Sequence, residues 1–279
     1  MNVSGKRILI TGGTSGVGDA LARALVDAGA RVVTCGRRSD PDVPEVPDSG
    51  GRVAASGPER PERPERTERP ERHAAARPER HAVIADLAMP GEAARVVRLA
   101  AGQLGGLDAV VANAGVQHLD SLTGGPSPEL LDRAEQEIAV NFRSVVELAA
   151  ASWPHLAAAG GPAAFVAVTS GLAYAPKRSA PVYCATKAAV HTLVQSLRYQ
   201  AQADTPSVRV QEVVLPLVDT AMTADREGAV RKLSAAEAAA AIVRGIRRGR
   251  PLVPIGASRA LLALLRVHPP IAHRILRDG

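Results

Sequence analysis

Tyr183 and Lys187 stand four residues apart in the stretch YCATK, within a segment whose spacing predicts a helix over residues 181–203. That separation puts both side chains on one helix face. A phenol with a pKa near 10 is a poor proton donor or acceptor at neutral pH. A neighbouring ammonium favours the phenolate and brings the group toward the range useful for general acid–base work. Ser170, in VTSG, ends a predicted strand, where its hydroxyl could hold a carbonyl oxygen beside the phenol. A solvated surface Tyr–Lys pair is the competing account. A second group is glycine-rich. In ITGGTSGVGDALA, Gly12, Gly16 and Gly18 lie between a predicted strand and a predicted helix. Glycines there allow a tight turn and let backbone approach a pyrophosphate at a helix N-terminus. The spacing, Gly-x3-Gly-x-Gly, differs from the commonest dinucleotide fingerprint, and alone it could simply close a strand–helix turn. At the end of the second predicted strand, CGRR offers Arg37 and Arg38 and no carboxylate. An acid there would bind a ribose 2′-hydroxyl and repel a 2′-phosphate. Two guanidinium groups suit the phosphate, so NADP(H) is expected over NAD(H).

The elements that must position these residues alternate. Strands are predicted at 7–11, 31–35, 82–86, 107–115 (with a turn), 163–170, 208–215 and 251–255. Helices are predicted at 17–29, 92–105, 129–158, 181–203 and 234–249, with one or two amphipathic helices at the C-terminus. Strand–helix alternation indicates βαβ units, and near-continuous apolar strands indicate a parallel sheet covered on both sides. The expected fold is α/β: a Rossmann-like doubly wound parallel sheet of about seven strands with helices on both faces. One catalytic, dinucleotide-binding domain spans 1–279, interrupted by an insert at about 39–80.

That insert contains PERPERPERTERPER. A proline every third residue forbids a helix and suits polyproline II. Its glutamates and aspartates outnumber its arginines. Few apolar residues and nearly cancelling charges predict solvated disorder or a semi-rigid spacer. Nucleic-acid binding is not expected there, since acids flank the arginines. The net charge of +6 arises instead from the arginine-rich C-terminal part. A solvated basic face is the plain account of it, and a weak anionic-membrane contact through 259–276 is the sharper one. Aromatic residues make up only 2% of the chain, so the core must rest on Ala, Val and Leu, and base-stacking platforms are lacking. The two cysteines, Cys35 and Cys184, form neither a metal spacing nor a disulfide framework. With no signal peptide or membrane-length apolar run read from the sequence, a cytoplasmic protein without a bound metal is expected.

Taken together, TGGTSGVG, NAG, AVNF, Ser170 and YCATK resemble the short-chain dehydrogenase/reductase family over essentially the whole chain except the insert. The resemblance implies a catalytic tetrad of Asn141, Ser170, Tyr183 and Lys187. Tyr183 would exchange the substrate proton, Lys187 would also bind the nicotinamide ribose, and Asn141 would hold a water that connects the lysine to a proton relay. It places the cofactor's phosphates and adenosine on Thr11, Gly12, Thr14, Ser15, Gly16, Val17 and Gly18, on Arg37 and Arg38, and on Asp86 and Leu87. Asn113, Ala114, Gly115, Tyr183, Lys187, Val218 and Thr220 would complete that site. The family usually carries Pro-Gly-x-Val-x-Thr after the sixth strand. Here LPLVDTAM puts Leu215 at the proline and Pro216 at the glycine. This is similar to the branch reading LPPLVDT, which includes the oxidoreductase of the D-alanylation operon. NAGVQ and SLRYQ are similar to that branch too.

The expected activity is oxidation or reduction between a nicotinamide cofactor and a carbonyl or alcohol. Leu172–Pro176 and Leu217–Met222 would border the pocket, so a fairly apolar small molecule is expected, with Ala221–Lys232 as a lid. A cofactor-binding regulator without turnover is the alternative. The family's habits imply a homo-oligomer.

Overall fold

A computed structural model describes residues 1–39, 41–48, 79–224 and 232–277. In its first strand, β1 (Arg7–Thr11), Ile8 and Ile10 face one side of the sheet and Leu9 the other, and all three are fully buried. Two faces buried along one strand explain the unbroken apolar run. The remaining strands are β2 (Arg31–Gly36), β3 (Glu79–Ile84), β4 (Ala109–Ala112), β5 (Ala163–Ser170), β6 (Val208–Leu215), the short β7 (Val218–Asp219) and β8 (Leu233–Ser234), and β9 (Leu252–Pro254). Seven of them form one sheet in the order β3-β2-β1-β4-β5-β6-β9, and every pair is parallel. The chain winds outward in one direction from β1 and in the other from β4. This leaves a crevice at the carboxyl edge between them, the ligand position of doubly wound sheets.

Helices α1 (Gly16–Asp27) and α6 (Ala235–Arg248) cover one face with Leu21, Leu25, Ile242 and Ile246. Helices α2 (Glu92–Leu104), α4 (Ser144–Ala157) and α5 (Pro181–Asp204) cover the other with Val96, Val97, Leu148, Val190 and Val194. The core is Ala, Val, Leu and Ile, with Phe165 the largest fully buried side chain. Helix α6 starts on a reciprocal Ser234–Glu237 capping box and stops at Gly249, whose φ of 65° favours glycine. The chain ends with α7 (Ala257–Val267) and α8 (Pro269–Arg277).

Three local expectations are corrected. The helix expected over 129–158 is α3 (Pro128–Ile138) joined to α4 through a π-helical turn, Ala139–Arg143. Sequence spacing carries no signal for that extra residue in the turn. The third strand begins at Glu79, not 82, and ends at Ile84, so Asp86 lies beyond it. Glu79 and Arg80 read as the last Pro-Glu-Arg repeat, yet Arg31 pairs with Glu79 at 2.5 Å and holds the strand's start in register. The front of the insert is also built into the sheet edge. Val43 is buried, Ala82 donates its N–H to the Pro44 carbonyl, and the Val46 N–H donates to the Ala82 carbonyl, both at 2.8 Å. The repeat itself, expected as disorder or polyproline II, lies outside the described residues up to position 78.

Candidate active site

The loop between β1 and α1 is shaped by close backbone approach. Gly12 and Gly16 adopt φ of 65° and 55°, and a β-carbon on Gly18 would collide with the Gly12 carbonyl oxygen. Asn113, just past β4, ties this loop to the neighbouring strand. Its Nδ2 donates to the carbonyls of Thr11 (3.0 Å) and Gly12 (3.2 Å), and the N–H groups of Asn113 and Ala114 both donate to Thr11 Oγ1 at 3.0 Å. Thr14 packs against Gly36 at the end of β2, where a side chain would strike its hydroxyl. Val17 is buried. Ser15 is the exposed N-cap of α1, and its side chain makes no capping hydrogen bond there. The first-turn amides of α1 are therefore not capped by that hydroxyl, and with the helix dipole they suit an anion.

Around the loop, the sequence-derived cofactor residues converge unequally. Thr220 approaches Gly16, where a β-carbon would lie 3.1 Å from Thr220 Cγ2. Val218 is buried beside it in β7, and Leu215 closes β6 opposite Ser170. Arg37 and Arg38 are exposed immediately after β2. Asp86 is exposed after β3, its Oδ1 accepting the Ala88 N–H at 3.0 Å, while Leu87 is buried. Such a set fits a dinucleotide: a glycine cradle and helix N-terminus for the pyrophosphate, and cations rather than acids after β2.

Asn141, Gly115 and Lys187 meet at the carboxyl edge. Asn141 sits in the π turn, fully buried. Its Oδ1 accepts the Val116 N–H at 2.8 Å, and its Nδ2 donates to the Val116 carbonyl (2.9 Å) and Thr186 Oγ1 (3.2 Å). A side chain at Gly115 would press on Asn141 Oδ1 and Lys187 Nζ, 3.3 and 3.4 Å away. One turn earlier, the buried Glu137 accepts the His118 N–H at 2.6 Å, so residues 137 and 141 clamp the loop after β4 from one helix face. Sequence reasoning missed Glu137, which has no motif, and Thr186, which lies inside YCATK but whose contact with Asn141 is made only by the fold.

Helix α5 presents Tyr183 and Lys187 together, as their spacing predicts. Both are buried, and the Lys187 ammonium lies 5.7 Å from the centre of the Tyr183 ring. Nζ donates to the Val168 carbonyl at 3.1 Å. Burial lowers the Lys187 pKa from its ordinary value to about 8. Ser170 stands at the end of β5, with its Oγ accepting the Leu172 N–H at 3.2 Å. Gly171 follows because Leu261 of α7 packs where a β-carbon would be. One residue of the supposed insert also belongs here. Arg80 donates to the Gly13 carbonyl and to Asp19 Oδ1, each at 2.8 Å, bracing the glycine loop from β3. Cys35 and Cys184 are free and buried, and burial pushes the Cys35 thiol up to about 12.

A doubly wound sheet with a glycine loop at its crevice defines a nucleotide-binding class of fold, and comparison with known proteins gives the family. The sequence pattern of the short chain dehydrogenase family matches residues 6–55 and 46–230, and the chain belongs to that family. The uncharacterized oxidoreductase DltE of Bacillus subtilis (strain 168) is 32% identical over 254 residues, covering 90% of this chain and 88% of DltE. That agrees with the LPPLVDT-like branch. Among solved structures, a short chain dehydrogenase from Burkholderia cenocepacia J2315 in complex with NADP superposes with a TM-score of 0.75 at 22% identity, covering 99% of both chains. The NADH-dependent reductase A1-R′, responsible for alginate metabolism, gives 0.67 at 23% identity over 91% of this chain and 96% of the other. No helix among the described residues is long and apolar enough to cross a membrane.

Proposed function

We propose that the protein is an NADP(H)-dependent oxidoreductase that interconverts a carbonyl and an alcohol, with Tyr183 as general acid/base. The observation that carries this reading is the buried Tyr183–Lys187 pair on one face of α5, beside Asn141 and at the carboxyl edge that Ser170 ends. When bound, the nicotinamide supplies or takes up the hydride. The chain's own groups do the rest. In the reducing direction the Tyr183 hydroxyl gives its proton to the substrate oxygen, and the Lys187 ammonium stabilises the phenolate left behind. Ser170 Oγ orients the same oxygen. Asn141 holds the backbone at Val116 and supports the path by which the proton is replaced. Lys187 and the Thr220 loop would hold the nicotinamide end, while the glycine loop, Asn113 and Asp86 would hold the pyrophosphate and adenosine.

The preference for NADP(H) rests on Arg37 and Arg38 and on the lack of an acid after β2 in residues 36–39. The fold itself serves both cofactors among its structural neighbours. A fairly apolar substrate is suggested by Leu172 and Ala173 on one side and Leu217 and Met222 on the other, all with accessible surface. The expected lid is only partly described. Lys232 donates to the Thr223 carbonyl at 2.7 Å across its base, and residues 225–231 lie outside the described set. A homo-oligomer is expected from the habits of the family alone.

Purified protein should oxidise NADPH with a member of a broad ketone and aldehyde panel. Tyr183→Phe should lower kcat by roughly 10²–10⁴-fold while NADPH still binds. Unchanged turnover in that variant would refute the assignment.

A further inference from the structure

Glu212, in the middle of β6, is fully buried, and it is not part of the proton-transfer machinery described above. Its carboxylate is nonetheless fully engaged. Oε1 accepts from Thr169 Oγ1 at 2.7 Å and from the Tyr174 hydroxyl at 3.0 Å, and Oε2 accepts from His191 Nδ1 at 2.8 Å. The Tyr174 hydroxyl also lies 3.0 Å from His191 Nδ1, and the two rings pack at a tilt of 55° with centroids 4.5 Å apart. On its far side His191 Nε2 lies 2.5 Å from the Gln195 side-chain amide, while Nδ1 faces the Glu212 carboxylate, which can only accept a hydrogen bond from it. Burial and the Glu212 charge push the Tyr174 phenol pKa up, so this hydroxyl stays a donor.

The origin of the three donors is informative. Thr169 immediately precedes Ser170. Tyr174 lies four residues after Ser170, at the end of the 3₁₀ turn Gly171–Ala173 that borders the substrate side. His191 is one turn beyond Lys187 and two beyond Tyr183 on the same face of α5. A buried carboxylate is a costly way to fill a sheet interior, and an apolar side chain of similar size commonly does as well or better for stability. A fully satisfied polar network does something apolar packing does poorly: it fixes one arrangement of the groups around it.

We propose that Glu212 is a positioning residue whose carboxylate, gripping Thr169, Tyr174 and His191, locks the segment from Ser170 to Pro176 onto the face of α5 that carries Tyr183 and Lys187. The catalytic consequence rests on the reading of those residues given above, and the locking does not. Without the clamp, Ser170 and the substrate-side turn would drift relative to the phenol, so the chemical step would suffer and cofactor binding would not.

The test uses the full chain and the variants Tyr174→Phe, which keeps the ring against His191, and Glu212→Gln, which keeps the shape. Hydrogen exchange by mass spectrometry follows the amides of residues 171–178. In the wild type the Tyr174 and Ala175 amides donate to the Gly171 carbonyl at 3.1 Å and should be protected. In each variant their exchange should accelerate at least about tenfold while peptides of β1, α1 and the rest of α5 hold their rates. The double variant should do little more than either single one, as expected for members of one network. With a carbonyl that the wild type reduces, kcat should fall about tenfold or more, and the Kd for NADPH, read from its own fluorescence, should stay within about twofold. Unchanged exchange at 171–178 in both variants would overturn the proposal. So would acceleration spread evenly over β5, β6 and α5, or a loosened segment with full kcat. If the wild type turns over no carbonyl, the enzymatic reading fails, and the exchange data still decide the clamp.

Discussion

The Lys187 ammonium lies 5.7 Å from the centre of the Tyr183 ring and is anchored to the Val168 carbonyl, so one buried cation is held beside one buried phenol. Its burial has a thermodynamic signature. The folded-state pKa of about 8 lies below the ordinary 10.5. Between those values the unfolded chain binds a proton that the folded chain does not, so stability contributed by this group rises with pH across that window. Below about pH 8 both states are protonated, and the folded state bears the whole burden of the buried charge, roughly 3 kcal/mol as an upper figure. Lys187→Met in the cofactor-free protein should therefore raise stability at pH 7 by about 1–2 kcal/mol, after allowing for the lost hydrogen bond to Val168. The gain should fade by pH 10.5, and activity should be lost. Thermal unfolding at pH 7 and pH 10 checks this. A lower Tm at pH 7 would show that the ammonium–carbonyl contact outweighs the burial.

The glycine cradle offers a paired comparison. Gly18 has the Gly12 carbonyl and Asn113 Nδ2 where a β-carbon would go, whereas Gly102, exposed on α2, has nothing within 4 Å. Gly18→Ala should weaken NADPH binding by at least about 30-fold and destabilise the fold by about 1–3 kcal/mol, since the displaced atoms are backbone. Gly102→Ala should leave binding untouched and stabilise by about 0.5–1 kcal/mol. NADPH titrations and denaturant unfolding of both variants give the contrast. Equal effects would mean the cradle's shape does not matter.

The proposed preference for NADP(H) rests on Arg37 and Arg38, both exposed just after β2. Replacing both with alanine should weaken NADPH by roughly 10–100-fold, the scale of charge-assisted phosphate contacts, and NADH by less than about threefold. Equal losses with the two cofactors in fluorescence titrations would remove the 2′-phosphate assignment.

The Pro-Glu-Arg segment divides at a definite residue. Deleting residues 58–78 should spare kcat, because none of the site residues lies among them. Extending the deletion through Arg80 removes the start of β3 and the two hydrogen bonds that brace Gly13 and Asp19. Arg80→Ala alone should weaken NADPH several-fold with kcat at saturation little changed. Loss of turnover on deleting 58–78 from a folded protein would contradict this division.

The sequence by itself determined the alternation of strands and helices, the glycine loop, and the Tyr183–Lys187 face. Each of these is a local property: a period of 2 or 3.6, a turn that only glycine permits, or a spacing of one helical turn. Asn113, Asn141 and Ser170 were legible through short motifs anchored to those elements. What the sequence could not carry were groups whose role is made by partners from elsewhere in the chain. Glu79 and Arg80 look like solvated repeat until Arg31, Asp19 and Gly13 arrive from β2, α1 and the glycine loop. The AVNF motif marks Asn141, but the π turn that aims it at Val116 has no sequence signal. Thr169, Tyr174, His191 and Glu212 share no motif, and a glutamate in a predicted strand suggests an exposed face. Only the packing of β5, β6 and α5 brings three donors to that carboxylate, because a buried charge is tolerable only where tertiary structure supplies its partners.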